Sequence, residues 1–477
     1  MQKRWLALAV VMTASFMDLV DATIVNIAIP SLQRDLHAGF SSIQWITAGY
    51  ALAFAIGLIT GGRLGDIHGR KRVFLLGAAG FTLASALCGF AVNPEMLVAT
   101  RLLQGGAAAL MVPQVLAIIH ATFDAEERGK VFGLFGAMIG LGAVTGPLLG
   151  ALLTQWNLFG LEWRPIFLIN LPVGLAAVVL GRAWITESKA PQALRLDLLG
   201  VALASIGLFL VLFPLVQGKE NGWPLWGWGM VAAGTAVLAG FLRWERVKTA
   251  RDGSPLVELS LFRVRSFAAG IAVQLTFGVI TGIFFLTWTL YLQFGLGWTP
   301  LHAGLTGLPF SVACSAAAGM SVQFLVPRFG RRTLQAGAVV MALGAVLYLA
   351  EALRYGTGIH SWQMIAPLAV LGAGMGLVFA PLTDAVLSGV PTRHAGSASG
   401  LINTTMQLGN AFGLALVSVV FTGSTLVGAF AHTLWWLTGA LVPLVPVMAL
   451  LPRRAVQHAE TGAAAGVAAE TEEAVLV

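Results

Sequence analysis

Charge is what this sequence has least of. Only 10% of its 477 residues are Asp, Glu, Lys or Arg, against about a quarter in an ordinary soluble domain. A chain this short of charge cannot coat itself for water, which excludes a soluble enzyme and a disordered scaffold. Cysteine is nearly missing as well. Cys88 and Cys314 lie far apart in apolar runs without metal-ligand spacing, so a disulfide framework is excluded and both read as small buried side chains. The sequence contains no GxxxxGK[ST], HExxH or GxSxG, and no two of its eight histidines stand at i,i+4. ATP binding through a P-loop is excluded, an embedded enzyme is unsupported, and no cofactor or metal is expected.

What is abundant is apolar length: 57% of the residues are hydrophobic and the mean hydropathy is +0.83. An apolar run of about 20 residues spans the bilayer core as a helix. Fourteen such spans are predicted, at 5–29, 42–62, 73–93, 97–120, 131–154, 164–183, 196–216, 225–243, 267–292, 302–326, 334–353, 362–387, 397–421 and 428–451. Membrane strands would alternate polar and apolar residues, so the expected class is an all-α integral membrane protein. The first run is too long for a cleavable signal, holds two aspartates and has no small-residue cleavage site.

Basic residues orient the spans. With the N-terminus inside, twenty-three of the 28 Lys and Arg fall in cytoplasmic connections; Arg34, Arg164, Lys219 and Arg354 fall outside, and Arg101 lies within a span. Both termini are therefore expected in the cytoplasm. The net charge of +7 reflects this bias, and no nucleic-acid partner is implied. Trp223, Trp226 and Trp228 at the outer mouth of the seventh and eighth spans fit an interfacial aromatic belt.

The longest internal connection divides the chain into a six-helix bundle over 1–195, an inserted helix pair over 196–243, a cytoplasmic linker over 244–266 and a second six-helix bundle over 267–452. The Ala-rich, acidic stretch 453–477 is expected to be a disordered cytoplasmic tail. A weak repeat supports two halves: aligning Gly69 with Gly330 puts Arg70 on Arg331 and Lys71 on Arg332. Repeats related by an axis along the membrane normal are a transporter architecture.

A charged side chain at mid-bilayer costs on the order of 2.5–3.5 kcal/mol on insertion scales, so it normally faces a partner or a cavity. Asp18 and Asp21 stand three apart on one face of the first span. At about 1.5 Å per residue they lie roughly 20 and 24 Å above Trp5, and Arg101 lies roughly 8 Å below the outer surface. All three share the outer leaflet and can pair. Carboxylates whose hold on protons changes with access to water or to Arg101 can couple proton flow to a conformational switch, and such a pair titrates jointly. The plainer reading is a static ion pair. Asp384 reads as an interfacial group, and Glu351 with Arg354 as a surface pair. In the fifth span Gly142, Gly146 and Gly150 make a flat stripe for close helix approach, and Pro147 permits a kink.

Several motifs resemble those of one family. GRLGDIHGRKRV resembles the helix 2–3 loop signature of the major facilitator superfamily, and RLLQGGAAAL resembles its fourth-helix motif. GLGAVTGPLLGA resembles the fifth-helix antiporter motif of drug exporters, with Ala151 where a final glycine is usual. DATIVNIAIP, EWRPIFLINLPVG and PLVELSLFRVRSF are similar to signatures of the fourteen-helix drug:proton antiporter branch. The resemblance implies a proton-coupled exporter of drugs or antibiotics in a bacterial plasma membrane, in which two bundles rock about a midplane cavity. It implies coupling at Asp21 and proton transfer at Arg101. It also implies a cytoplasmic latch at Gly65, Asp66, Gly69 and Arg70, and a fifth helix shaped for export by Gly142, Gly146, Pro147 and Gly150. Asp18 is outside the family pattern and rests on the physical argument. The second-half loop has Pro327 where an acid would stand, so the latch is expected to be asymmetric.

Asn26, Gln44, Gln114, Gln274, Gln293, Asn403, Gln407 and Asn410, with Trp45 and Trp288, are candidates for lining the cavity; polar residues also bridge helices. The expected partners are an amphipathic, cationic small molecule, protons and lipid, with the chain acting as a monomer. An importer of a small nutrient on the same scaffold and a non-transporting sensor are the alternatives.

Overall fold

The computed structural model describes residues 2–123, 125–189, 195–218, 220–387, 395–423 and 425–452. The tail 453–477 lies outside them. Every regular element among the described residues is helical. The first bundle consists of α1 Gln2–Leu36, α2 Phe40–His68, α3 Arg70–Gly89, α4 Pro94–Thr122, α5 Ala125–Trp156 and α6 Pro165–Trp184. The inserted pair is α7 Leu198–Gln217 and α8 Leu225–Asp252. The second bundle consists of α9 Arg265–Leu290, α10 Pro300–Phe329, α11 Arg331–Tyr355, α12 Ser361–Leu387, α13 Ala395–Val420 and α14 Leu426–Met448.

Among the described residues, twelve of these helices are long and apolar enough to cross a membrane. The other two, α5 and α13, run for 32 and 26 residues and coincide with the spans expected at 131–154 and 397–421. Helix starts carry the usual chemistry. The Asn93 side chain accepts from Met96 N ahead of Pro94, and Thr425 accepts from Gly428 N. Gly69 and Gly330, at φ +114° and +56°, turn the chain between α2 and α3 and between α10 and α11. α8 continues past its expected end at 243 because no helix breaker intervenes before Gly253, which ends it at φ +64°.

Hydrogen bonds between helix ends fix which ends share a face. Arg4 reaches Glu127, Arg70 reaches the Ala117 carbonyl, and Lys71 reaches the Arg182 carbonyl. These gather the starts of α1, α3 and α5 with the ends of α4 and α6 on the face rich in Lys and Arg, here the basic face. Trp163 and Arg164 both donate to Asp35, and Ser41 donates to Glu220, at the opposite face.

The bonds described between the two bundles lie toward that opposite face. Gln44 Nε2 donates to Leu414 O at 2.6 Å and Gln293 Nε2 to Ile27 O at 2.9 Å. A Cβ built on Gly304 of α10 would stand 2.9 Å from Ala151 Cβ and 3.3 Å from Pro147 O of α5. The molecule is thus joined at the face opposite the basic one. Gln293 sits in a π-helical turn, Tyr291–Gly295, that widens the end of α9; such turns are frequent at functional sites.

Candidate functional site: a polar layer in the first bundle

Two fully buried charges of opposite sign meet inside the first bundle. Asp21 is 0% exposed and Arg101 1%, and Arg101 Nη1 donates to Asp21 Oδ2 at 2.6 Å. The other Asp21 oxygen, Oδ1, accepts from Gln104 Nε2 at 2.9 Å and from Asn170 Nδ2 at 2.8 Å. Four helices therefore hold one pair: α1 brings the acid, α4 brings Arg101 and Gln104 one turn apart, and α6 brings Asn170. The fourth, α3, contributes Ser85, whose hydroxyl accepts from both amides and donates to Phe167 O at 2.9 Å.

Arg101 has further ties. Its Nε donates to Ile46 O at 3.1 Å, and Nη1 also donates to Gln104 Oε1 at 2.7 Å. Its guanidinium lies 4.1 Å from the Tyr50 ring centre, a stacked cation–π arrangement that a lysine would not reproduce. A buried ion pair survives desolvation only when the remaining lone pairs and protons find partners, and here they do.

Asp18 is buried but takes a different partner. Tyr50 Oη donates to Asp18 Oδ1 at 2.5 Å, so Asp18 is linked to Arg101 through the face and hydroxyl of one tyrosine. The pairing of the helix 1 acids with Arg101 is thus direct for Asp21 and relayed for Asp18. Cys88, buried as expected, donates to Thr100 at 3.2 Å and borders this layer. Cys314 is only half-buried, a correction to the reading of both cysteines as buried, because it lies on the partly exposed side of α10.

The glycine stripe of α5 lies against α1. A Cβ on Gly142 would stand 3.2 Å from Leu19 Cβ, one on Gly146 would collide with Thr23, and one on Gly150 would meet Ile24 O at 2.9 Å. These α1 residues bracket Asp21, so the stripe sets the position of the helix that carries the acids. α5 stays helical through Pro147.

At the basic face Asp66 and Arg70 form an i,i+4 pair at 3.0 Å. Gly65 leaves room for the Gln114 carboxamide, which donates to Gly61 O at 2.8 Å. Gly69 lies against the Glu187 carboxylate, which accepts from Lys71 N, while Arg70 N donates to Ser188 O. In the second half Arg331 occupies the place of Arg70 but donates to Ala449 O and Leu451 O. With proline at 327 it has no acid one turn before it and instead caps the end of α14.

The remaining cavity candidates divide. Gln44 and Gln293 join the bundles, and Trp45 packs on Phe209 and Phe213 of α7 with centroids 5.9 and 6.1 Å apart. Trp288 donates to Tyr348 Oη at 2.9 Å and stacks on Phe284. Gln274 is buried, Asn26, Gln407 and Asn410 are half-buried, and Asn403 is exposed. Glu351 and Arg354 form no described ion pair; Arg354 lies over the Tyr355 ring, 5.4 Å from its centre, which corrects the expected surface pair. The Asp384 side chain lies outside the described residues. Sequence reasoning passed over Tyr50, Ser85, Gln104 and Asn170. Gln104, three residues after Arg101 on the same face, carried a signal.

Residues 11–414 match the family model of the Major Facilitator Superfamily. The chain is 46% identical over 421 residues to a probable actinorhodin transporter of Streptomyces coelicolor, covering 88% of this chain and 73% of that protein. It is 35% identical to a tetracenomycin C resistance and export protein of Streptomyces glaucescens, covering 87% and 76%. It is 36% identical to a cephamycin export protein of Amycolatopsis lactamdurans, covering 89% and 86%. Among solved structures, a D-xylose-proton symporter superposes with a TM-score of 0.67 at 16% identity, over 94% of this chain and 98% of the other, a likeness of fold. The chain is a multi-pass member of the Major Facilitator Superfamily of membrane transporters.

Proposed function

We propose that this protein exports drugs or antibiotics across a bacterial plasma membrane in exchange for protons, as a fourteen-span monomer with both termini and the basic face in the cytoplasm. The observation that carries the coupling is the buried Asp21–Arg101 pair with its completed hydrogen-bond shell. Ionised, Asp21 is held by Arg101, Gln104 and Asn170. A proton on Asp21 cancels the ion pair and leaves Arg101 to the Ile46 carbonyl, Gln104 Oε1 and the Tyr50 ring. Because those contacts belong to four helices, the exchange changes how α1, α2, α4 and α6 hold together, which is what a switch between two access states requires. Asp18 feels the same change through Tyr50. The glycine stripe of α5 lets α1 shift along it, and the Asp66–Arg70 loop opens or closes the basic face.

The relatives' names supply the substrate class: they transport or confer resistance to actinorhodin, tetracenomycin C, puromycin and cephamycin. A cation-bearing, amphipathic substrate suits the acids of α1. Cells of a sensitive host expressing the chain are expected to accumulate less of one or more of these four compounds, with the difference abolished by a protonophore. Greater accumulation in expressing cells would make the protein an importer, and equal accumulation of every compound would remove the export reading.

A further inference from the structure

The inserted helix pair carries a second buried acidic pair, which no transport role absorbs. Asp197 immediately precedes α7 and is 3% exposed; Glu245 lies in the last turns of α8 and is 0% exposed. Asp197 Oδ1 caps α7, accepting from Gly200 N at 3.0 Å, and both its oxygens accept from Trp244 Nε1, at 2.9 and 3.1 Å. Glu245 Oε2 accepts from Val257 N of the following segment at 2.8 Å. Glu245 Oε1 has no donor at all, although it is sealed from solvent. That oxygen lies beside the Asp197 carboxylate: a Cβ on Gly200 would run into both, nearest to Asp197 Oδ2 and 2.7 Å from Glu245 Oε1.

Two ionised carboxylates this close repel, and a buried acceptor left without a donor is unfavourable. The nearby base offsets this only in part. Arg63 of α2 faces Glu245, but its guanidinium donates to the carbonyls of Arg195, Ser254 and Pro255. Among the described residues, the facing charges from the packed elements are Asp197 at the start of α7 and Arg63 near the end of α2. What completes the geometry is one hydrogen between Glu245 Oε1 and the Asp197 carboxylate.

We propose that Asp197 and Glu245 form a proton-binding site distinct from the Asp21–Arg101 layer, holding one shared proton that ties the segment 254–257 to the base of the inserted pair. The site is joined to the transport loop by position, because Arg63 precedes Asp66 by three residues on α2 and grips the same segment. Loss of the proton sets the two carboxylates against each other and loosens Val257 and the carbonyls that hold Arg63. The proposal does not depend on what, if anything, the protein exports.

The test is infrared difference spectroscopy of the full-length protein in lipid vesicles, titrated from acid to alkaline pH. A protonated-carboxyl band that titrates in the wild type is expected to vanish in Glu245→Gln and in Asp197→Asn, yet to persist in Asp21→Asn. Gln at 245 offers the Asp197 carboxylate a permanent N–H, so this variant is expected to fold, and its thermal midpoint gives an independent check. Proteolysis of the 253–264 segment should increase with pH in the wild type and stay flat in Glu245→Gln. A carboxyl spectrum in Glu245→Gln identical to that of the wild type would overturn the proposal, whatever the transport assays give.

Discussion

The two six-helix bundles fill their interiors in different ways. In the first, buried apolar side chains form two clusters, one toward the basic face around Phe74, Phe81 and Met111, the other toward the opposite face around Ile24, Trp163 and Phe167. Asp18, Asp21, Ser85, Arg101, Gln104 and Asn170 lie between them, with Tyr50 at the edge of the first. In the second bundle a single apolar cluster runs through the interior, with Tyr291 stacked on Phe430 at 4.4 Å and Tyr348 edge-on to the same ring. Its described buried polar groups are uncharged amides and hydroxyls such as Gln274, Thr281 and Thr433. The halves aligned at Gly69 and Gly330 therefore differ: one bundle holds a buried charged layer and the other an interior whose described polar groups are uncharged.

The largest expected effect comes from breaking the charged layer on one side only. Asp21→Ala leaves Arg101 buried without its counter-charge and is expected to cost about 3–5 kcal/mol of stability, the penalty typical of a half-removed buried pair. Thermal unfolding of the purified protein in detergent reads this. Combining Asp21→Ala with Arg101→Leu should cost clearly less than the sum of the two single changes. Additive costs would mean that the layer is not a unit.

Tyr50→Phe removes the donor to Asp18 while keeping the ring over Arg101. The expected loss is about 1.5–3 kcal/mol, the range for a hydrogen bond to a charged group. A transport defect there without any change in proton coupling would detach Asp18 from the switch.

Gly146→Ala forces α5 away from Thr23 of α1, at about 1–3 kcal/mol for an overpacked contact. It is expected to slow transport more than it weakens substrate binding, which separate binding and flux measurements distinguish.

The smallest effect is expected in the second bundle. Trp288→Phe forfeits the bond to Tyr348, worth about 0.5–1.5 kcal/mol, and should leave the pH dependence of transport unchanged. A shifted pH profile in this variant would break the contrast between the bundles.

The parts of this site legible in the sequence are those fixed by arithmetic along single helices. Depth counting put Asp21 and Arg101 in one leaflet, and the structure pairs them. Glycine spacing announced a close helix contact, and α1 fills it. What the sequence withheld depends on the rotation of one helix against another. Tyr50 reads as an ordinary apolar-run aromatic until α2 turns its hydroxyl to Asp18. Asn170 is one amide in an apolar span until α6 aims it at Asp21. Gln44 and Gln293 have the composition of cavity residues, yet near the ends of their own helices they donate to backbone carbonyls of the other bundle and join the two. The inserted pair was visible as two apolar runs, but α8 passed its expected end because the polar residues after Arg243 are good helix formers.

The most direct test of the central claim uses purified protein in liposomes with an imposed pH gradient and an internal pH dye, comparing wild type with Asp21→Asn. Addition of a transported compound is expected to drive proton movement opposite to the compound in the wild type, and to drive none in the variant while the compound still binds. Undiminished substrate-driven proton movement in Asp21→Asn would contradict the account.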